Sequence, residues 1–217
     1  MTLLISALIF FQLGARNDLV ELRSYLGSNY SRLIQFLNGK NQILLHNTET
    51  LAPAQAAEMR GRMRVPDKLP ADRPIVTAKI DNVGQGLASF LFEDDFITEQ
   101  VNFAFCPPQP ATPSQPARPE RVMAIQVLLD DRRALGAAVT LLQGVYQLPP
   151  PLPPGADYQP VLNYPVRSNL PVTIWNLGTI EAIYQAIPGQ ALITGQLWLT
   201  DKTVRSTCTE IPTLTAP

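Results

Sequence analysis

Between residues 5 and 43, the positions Ile5, Leu8, Gln12, Ala15, Leu19, Leu22, Leu26, Asn29, Leu33, Phe36, Lys40 and Ile43 follow one another in alternating steps of three and four. All but Gln12, Asn29 and Lys40 are apolar. This spacing predicts a helix that offers one narrow apolar seam, with Arg16, Glu21, Arg23 and Arg32 off the seam and solvated. A continuous helix over residues 2–45 would be about 65 Å long. The competing reading is two shorter helices broken near Gly27 or Gly39, where each glycine costs about 1 kcal/mol against alanine. A second helix is predicted over residues 52–64 and ends at Pro66 and Pro70.

Beyond residue 64 the pattern changes to short apolar runs rich in β-branched residues, separated by turn chemistry. Strands are predicted at Ile75–Ile80, Leu87–Phe92, Val101–Phe105, Val122–Leu129, Ala137–Leu148, Val172–Asn176, Ile180–Tyr184, Ala191–Leu199 and Val204–Ile211. Ala137–Leu148 reads equally well as a helix, because Ala, Leu and Gln dominate it. Trp175, Trp198, Tyr184 and Phe103 fall where they would fill a β core. The expected fold is therefore α+β: a long N-terminal hydrophobic and amphipathic helix followed by a mostly antiparallel β domain. Residues 1–64 form the helical anchor and its extension, and residues 65–217 the β-rich domain with proline-rich connectors.

Proline usage sharpens this division. Only Pro53 lies in the first 64 residues, and the rest of the 21 prolines lie beyond. They cluster in Pro107–Pro119 and Pro149–Pro154, which favour extended polyproline II conformation and read as surface connectors more readily than as P-x-x-P ligands. The charge is split in the same place. Residues 1–64 carry seven basic and four acidic residues, a net of +3, which leaves −4 for the remainder and −1 overall. That balance argues against nucleic acid as a partner, since phosphate neutralisation needs a basic excess.

Residues 2–15 contain no charge and span about 21 Å as a helix. They are shorter than the roughly 20 residues that cross a bilayer. The segment is read as an anchor in a membrane or filament. A secretory leader and a buried helix of a soluble domain are the competing readings.

Catalytic and metal signatures are sparse. His46 is the single histidine and Cys106 and Cys208 are the two cysteines, so no Cys/His zinc cage can be drawn from this chain, and no metal or cofactor is expected. Glu93-Asp94-Asp95 reads as a solvated turn. Gly84-Gln85-Gly86 lacks the third glycine of a dinucleotide fingerprint, and no Walker A, G-x-S-x-G or H-E-x-x-H motif occurs. Catalysis is not expected. Cys106 and Cys208 are either joined, closing a loop worth about 4–5 kcal/mol in the chain-entropy model, or remain two buried thiols. Their even number, the apolar leader and the low charge point to an oxidising compartment.

Met1-Thr2-Leu3-Leu4, the apolar run behind it, the amphipathic extension and the β domain together resemble a type IV pilin or pseudopilin. Ile5 stands where that family usually carries a glutamate, which suits a minor or tip subunit, or another anchored envelope protein. The resemblance implies an N-terminal helix packed among neighbouring subunits, an outward-facing β domain and a disulfide stapling the C-terminal part. On this reading Ile5, Leu8, Leu19, Leu22, Leu26, Leu33 and Phe36 form the assembly helix, and Cys106 and Cys208 the disulfide. The implied partners are copies of the chain or related envelope subunits, with the membrane met through residues 2–15. The expected function is a structural subunit of a cell-surface filament or secretion apparatus. The alternatives are a membrane-anchored accessory subunit of an envelope complex, and a secreted binding or enzymatic domain.

Overall fold

The computed structural model describes residues 23–35, 37, 68–69, 75–79, 97–114, 116–130, 139–140, 143, 148–167, 169–188 and 194–212. Within them the chain forms six strands: β1 (Ile75–Lys79), β2 (Ile97–Cys106), β3 (Arg121–Asp130), β4 (Val172–Leu177), β5 (Ile180–Ala186) and β6 (Gly195–Asp201). They make one antiparallel sheet in the order β1-β2-β3-β6-β5-β4. The sheet is thus two three-stranded meanders joined edge to edge by the β3–β6 pairing. The alternating β-branched and aromatic residues of these strands suit a pleated surface buried on both faces.

The first face carries Phe103, Phe105, Ile125, Val127, Leu197, Leu199, Ala182, Tyr184 and Trp175. Residues 30–35 and 37 are helical and lie over it through Tyr30, Leu33 and Leu37, spaced to share one side of a helix. Leu33 is fully buried, worth about 1.5–3 kcal/mol in transfer terms. The Tyr30 and Phe105 rings meet edge to face, with centroids 5.6 Å apart. The second face carries Ala104, Met123, Ala124, Ile183 and Trp198 and is covered by Leu162, Tyr164, Val204, Cys106 and Cys208. Met123 and Ala124 both point to it because the β2–β3 register shifts by one residue between Ala104 and Phe105. Trp175, Trp198, Tyr184 and Phe103 are all core residues, as their placement in strands predicts.

The expected long N-terminal helix is not what the described residues form. They are mostly antiparallel sheet with short helices, and the helical stretch ends and restarts between Arg23 and Tyr30. The break has a cause in tertiary structure. Gly27 adopts φ 77°, which glycine tolerates and other residues resist. Its N–H donates to Val122 O over 2.8 Å, and Val122 N returns a 2.8 Å bond to Ser28 O. Residues 27 and 28 therefore continue the β3 ladder where β6 turns away, a gain that a straight helix would forfeit. Asn29 then restarts the helix, its side chain accepting from Arg32 N over 3.0 Å.

A second correction lies at the C-terminus. The strand expected over Val204–Ile211 is instead a short helix, Lys202–Ser206, because the Asp201 side chain accepts from Thr203 N and Val204 N as an N-cap. The expected strand Leu87–Phe92, the expected helix 52–64, the apolar segment 2–15, His46 and Glu93–Asp95 lie outside the described residues. Of the ambiguous Ala137–Leu148, residues 139, 140 and 143 are helical. No helix among the described residues is long and apolar enough to cross a membrane.

From Leu148 on, the described part of the connection between β3 and β4 passes round the outer edge of β4. Leu148 packs on the first face. Leu152 N, inside the proline run, then donates to Ile174 O of β4 over 2.8 Å and covers part of that edge. Leu162 and Tyr164 lie on the second face.

Candidate functional site

The second face holds polar side chains where an ordinary core would be apolar. Asn102, Gln126, Gln196, Thr200, Glu181 and Gln185 share it by strand alternation with Ala104, Trp198 and Ile183. All but Asn102 are almost completely buried. Such groups are costly unless every donor and acceptor is met, and here they are met in two connected sets.

The first set is a row of amides crossing four strands. Asn102 Nδ2 on β2 donates to Gln126 Oε1 on β3 over 2.7 Å, and Gln126 Nε2 donates to Gln196 Oε1 on β6 over 3.0 Å. Gln196 Oε1 also accepts from Trp198 Nε1 over 3.2 Å. Gln196 Nε2 reaches Pro165 O at 3.2 Å and Gln185 Oε1 at 3.4 Å. Gln185 on β5 ends the row against the connector, accepting from Arg167 N and donating to Arg167 O, each over 2.9 Å.

The second set centres on Glu181, opposite Thr200 on β6 and Asn176 on β4. Its carboxylate is fully buried. Oε1 accepts from Tyr164 Oη at 2.6 Å and from Val161 N at 3.1 Å, and Oε2 accepts from Tyr158 Oη at 2.5 Å. Tyr164 Oη shares a further 2.7 Å bond with Thr200 Oγ1. Burial first, and then the adjacent Glu181 carboxylate, pushes both phenols well above their ordinary range. They therefore remain protonated donors across physiological pH.

These sets hold the connector to the sheet. Every oxygen of Glu181 faces a neutral donor from residues 158–164, and Gln185 and Gln196 bind the backbone of residues 165–170. None of these carboxylate oxygens is turned toward open space. Among the described residues no group of three or more His, Cys, Asp or Glu converges to hold a metal.

The disulfide is the other chemical feature. Cys106 at the end of β2 is bonded to Cys208 just after the terminal helix, with Cα atoms 5.6 Å apart and 102 positions between them in sequence. Beside it Gln109 Nε2 donates to Thr207 O over 2.7 Å, and Arg121 Nη2 to Thr207 Oγ1 over 2.9 Å. The C-terminal tail is thus fixed to the sheet covalently and by hydrogen bonds.

Of the residues expected in an assembly helix, Leu33 is buried in the domain's own core and Leu26 is half-buried against it. Ile5, Leu8, Leu19, Leu22 and Phe36 lie outside the described residues. Glu181, Tyr158, Tyr164 and the amide row carry no motif. The available signal was a lone acidic residue inside the apolar run Ile180–Tyr184, which a half-buried strand would turn to solvent.

Compared with known protein families, curated proteins and solved structures, the chain matches none.

Proposed function

We propose that this chain is a non-catalytic structural subunit of a cell-surface filament or secretion apparatus, attached through its apolar N-terminal segment. The observation that carries the reading is the Cys106–Cys208 disulfide, a bond that persists outside reducing compartments. The arrangement around it suits a domain that bears load. Tyr30, Leu33 and Leu37 fix the chain that follows the apolar segment to one face of the sheet, so tension on that segment is resisted by the core. At the other end the disulfide keeps the tail from peeling off β2. The buried polar groups are spent on holding the connector, which is a structural task.

With Leu26 and Leu33 engaged in the domain's own core, the assembly contact rests on Ile5, Leu8, Leu19, Leu22 and Phe36. The test is to shear intact cells, pellet the released high-mass material and look for this chain by mass spectrometry and electron microscopy. Recovery in filaments, lost in Leu22→Glu, supports the proposal. Recovery only in the membrane fraction overturns the filament and makes the chain a membrane-anchored accessory subunit of an envelope complex.

A further inference from the structure

The link between β2 and β3 is an arm of unusual composition. Prolines fall at every third position, Pro107, Pro110, Pro113, Pro116 and Pro119, the residue count of one polyproline II turn. From Pro107 to Ala117 there is no charged residue. The arm doubles back on itself. Gln109 N donates to Arg118 O over 2.8 Å, and Arg118 N to Gln109 O over 2.9 Å. Its base is held by the Cys106–Cys208 bond and by Gln109 Nε2 on Thr207 O. Beyond that base Pro110, Ala111, Thr112, Pro113, Ser114, Pro116 and Ala117 are all exposed. An anchored base presenting an uncharged, proline-flanked tip with two hydroxyls is costly surface for a connector that needs only to join two adjacent strands.

We propose that this tip is an O-glycosylation site, with Thr112 or Ser114 as the acceptor of a single sugar chain. Ser and Thr among prolines are the composition of O-glycosylated stalks, and at this tip both hydroxyl residues are exposed to a transferase. Other exposed hydroxyls among the described residues fit less well: Ser24, Ser31, Thr140, Thr203 and Ser206 lie in helices, Thr179 has no proline beside it, and Thr209 sits between Cys208 and the charged Glu210. In the transfer the hydroxyl oxygen attacks the anomeric carbon of a diphosphate-activated sugar. The new C–O bond forms as the bond to the diphosphate breaks. The diphosphate leaves with the electron pair, and the hydroxyl proton passes to a base of the transferase. Thr112 Oγ1 and Ser114 Oγ lie 3.4 Å apart, so a sugar on one covers the other and occupancy is limited to one.

This inference rests on the extracytoplasmic placement argued above. The experiment is to isolate the full chain from its native cells without reductant, and to map the peptide containing residues 107–121 by mass spectrometry with site-resolving fragmentation. The expected result is one sugar chain on Thr112 or Ser114, never on both in one molecule, and complete loss of the added mass in the Thr112→Val/Ser114→Ala double variant. A bare peptide from molecules with the disulfide intact overturns the site. So does a sugar that survives in the double variant. Free thiols at Cys106 and Cys208 overturn the compartment itself, and the acceptor assignment with it.

Discussion

Truncating Glu181 tests whether the buried carboxylate holds the connector to the sheet. Glu181→Ala removes the acceptor for three donors, and their fates differ. Val161 N loses its 3.1 Å bond in a partly buried position, a cost of about 1–3 kcal/mol for an unmet donor. Tyr158 is half-buried and recovers water for its hydroxyl, so its loss is about 1 kcal/mol. Tyr164 is buried but can turn its proton to Thr200 Oγ1, 2.7 Å away, and loses about 1 kcal/mol or less. Removing a buried charge returns part of this, since desolvating a carboxylate is itself unfavourable. The net expectation is a destabilisation of about 2–4 kcal/mol. Glu181→Gln keeps an acceptor oxygen and should cost roughly half as much. Urea unfolding of the disulfide-intact protein measures the stability change. Limited chymotrypsin digestion reports whether cleavage at Tyr158 accelerates. If Glu181→Ala unfolds within about 0.5 kcal/mol of the unaltered protein and Tyr158 stays protected, the clamp contributes nothing and the reasoning fails.

Gly27→Ala places a Cβ in a backbone with φ 77°, 3.3 Å from Asp201 Oδ2, whereas Gly155→Ala has a similar φ of 81° and open space. Both should lose about 1–2 kcal/mol from the backbone, and Gly27→Ala should lose more by disturbing the Asp201 cap; equal midpoints in urea would refute the packing argument. Reducing Cys106–Cys208 opens a 102-position closure and should lower stability by about 4–5 kcal/mol, read from denaturation with and without reductant. An unchanged midpoint would mean that the tail is held by hydrogen bonds alone. Because the native phenol of Tyr164 titrates above the unfolded value of about 10, its contribution is complete below that pH and is lost as pH rises beyond it. Stability should therefore fall in alkali with a slope that flattens in Tyr164→Phe, and parallel profiles for the two proteins would exclude Tyr164 as a source.

Much of the sheet was legible because β-branched and aromatic runs mark strands wherever local preference and burial agree. Val122–Leu129 anticipated Arg121–Asp130 to within a residue at each end, and Val172–Asn176 missed only Leu177. Reading failed where a distant partner overrode local pattern. Leu26 and Leu33 both pack on the core, but the chain between them is pulled into β-type pairing by Val122, remote in sequence, and the helix that follows turns Tyr30, Leu33 and Leu37 inward. The β-branched residues of Val204–Ile211 suggested a strand, while Asp201, just ahead of them, started a helix. The amide row was illegible for a sharper reason. A glutamine in a strand pattern normally marks the solvent side. Gln126 instead meets Gln196 seventy positions away, on a face covered by a connector whose course no local rule predicts.

That row also explains how two meanders settle into one sheet. Within the second meander the two-residue Gly178-Thr179 turn fixes the register of β4 on β5. The β3–β6 pairing has no such link, so its register must come from side chains. A slip of one residue would carry Leu197 and Leu199 to the polar face and drive Gln196 among the apolar residues of the other. A slip of two would keep the faces but separate Gln126 Nε2 from Gln196 Oε1, the side-chain bond that crosses the pairing. The apolar residues alone penalise the first error, and the buried amides penalise the second. Their value therefore lies less in net stability, where buried polar pairs contribute little, than in excluding the wrong alignment where strands that are not consecutive in the chain are joined.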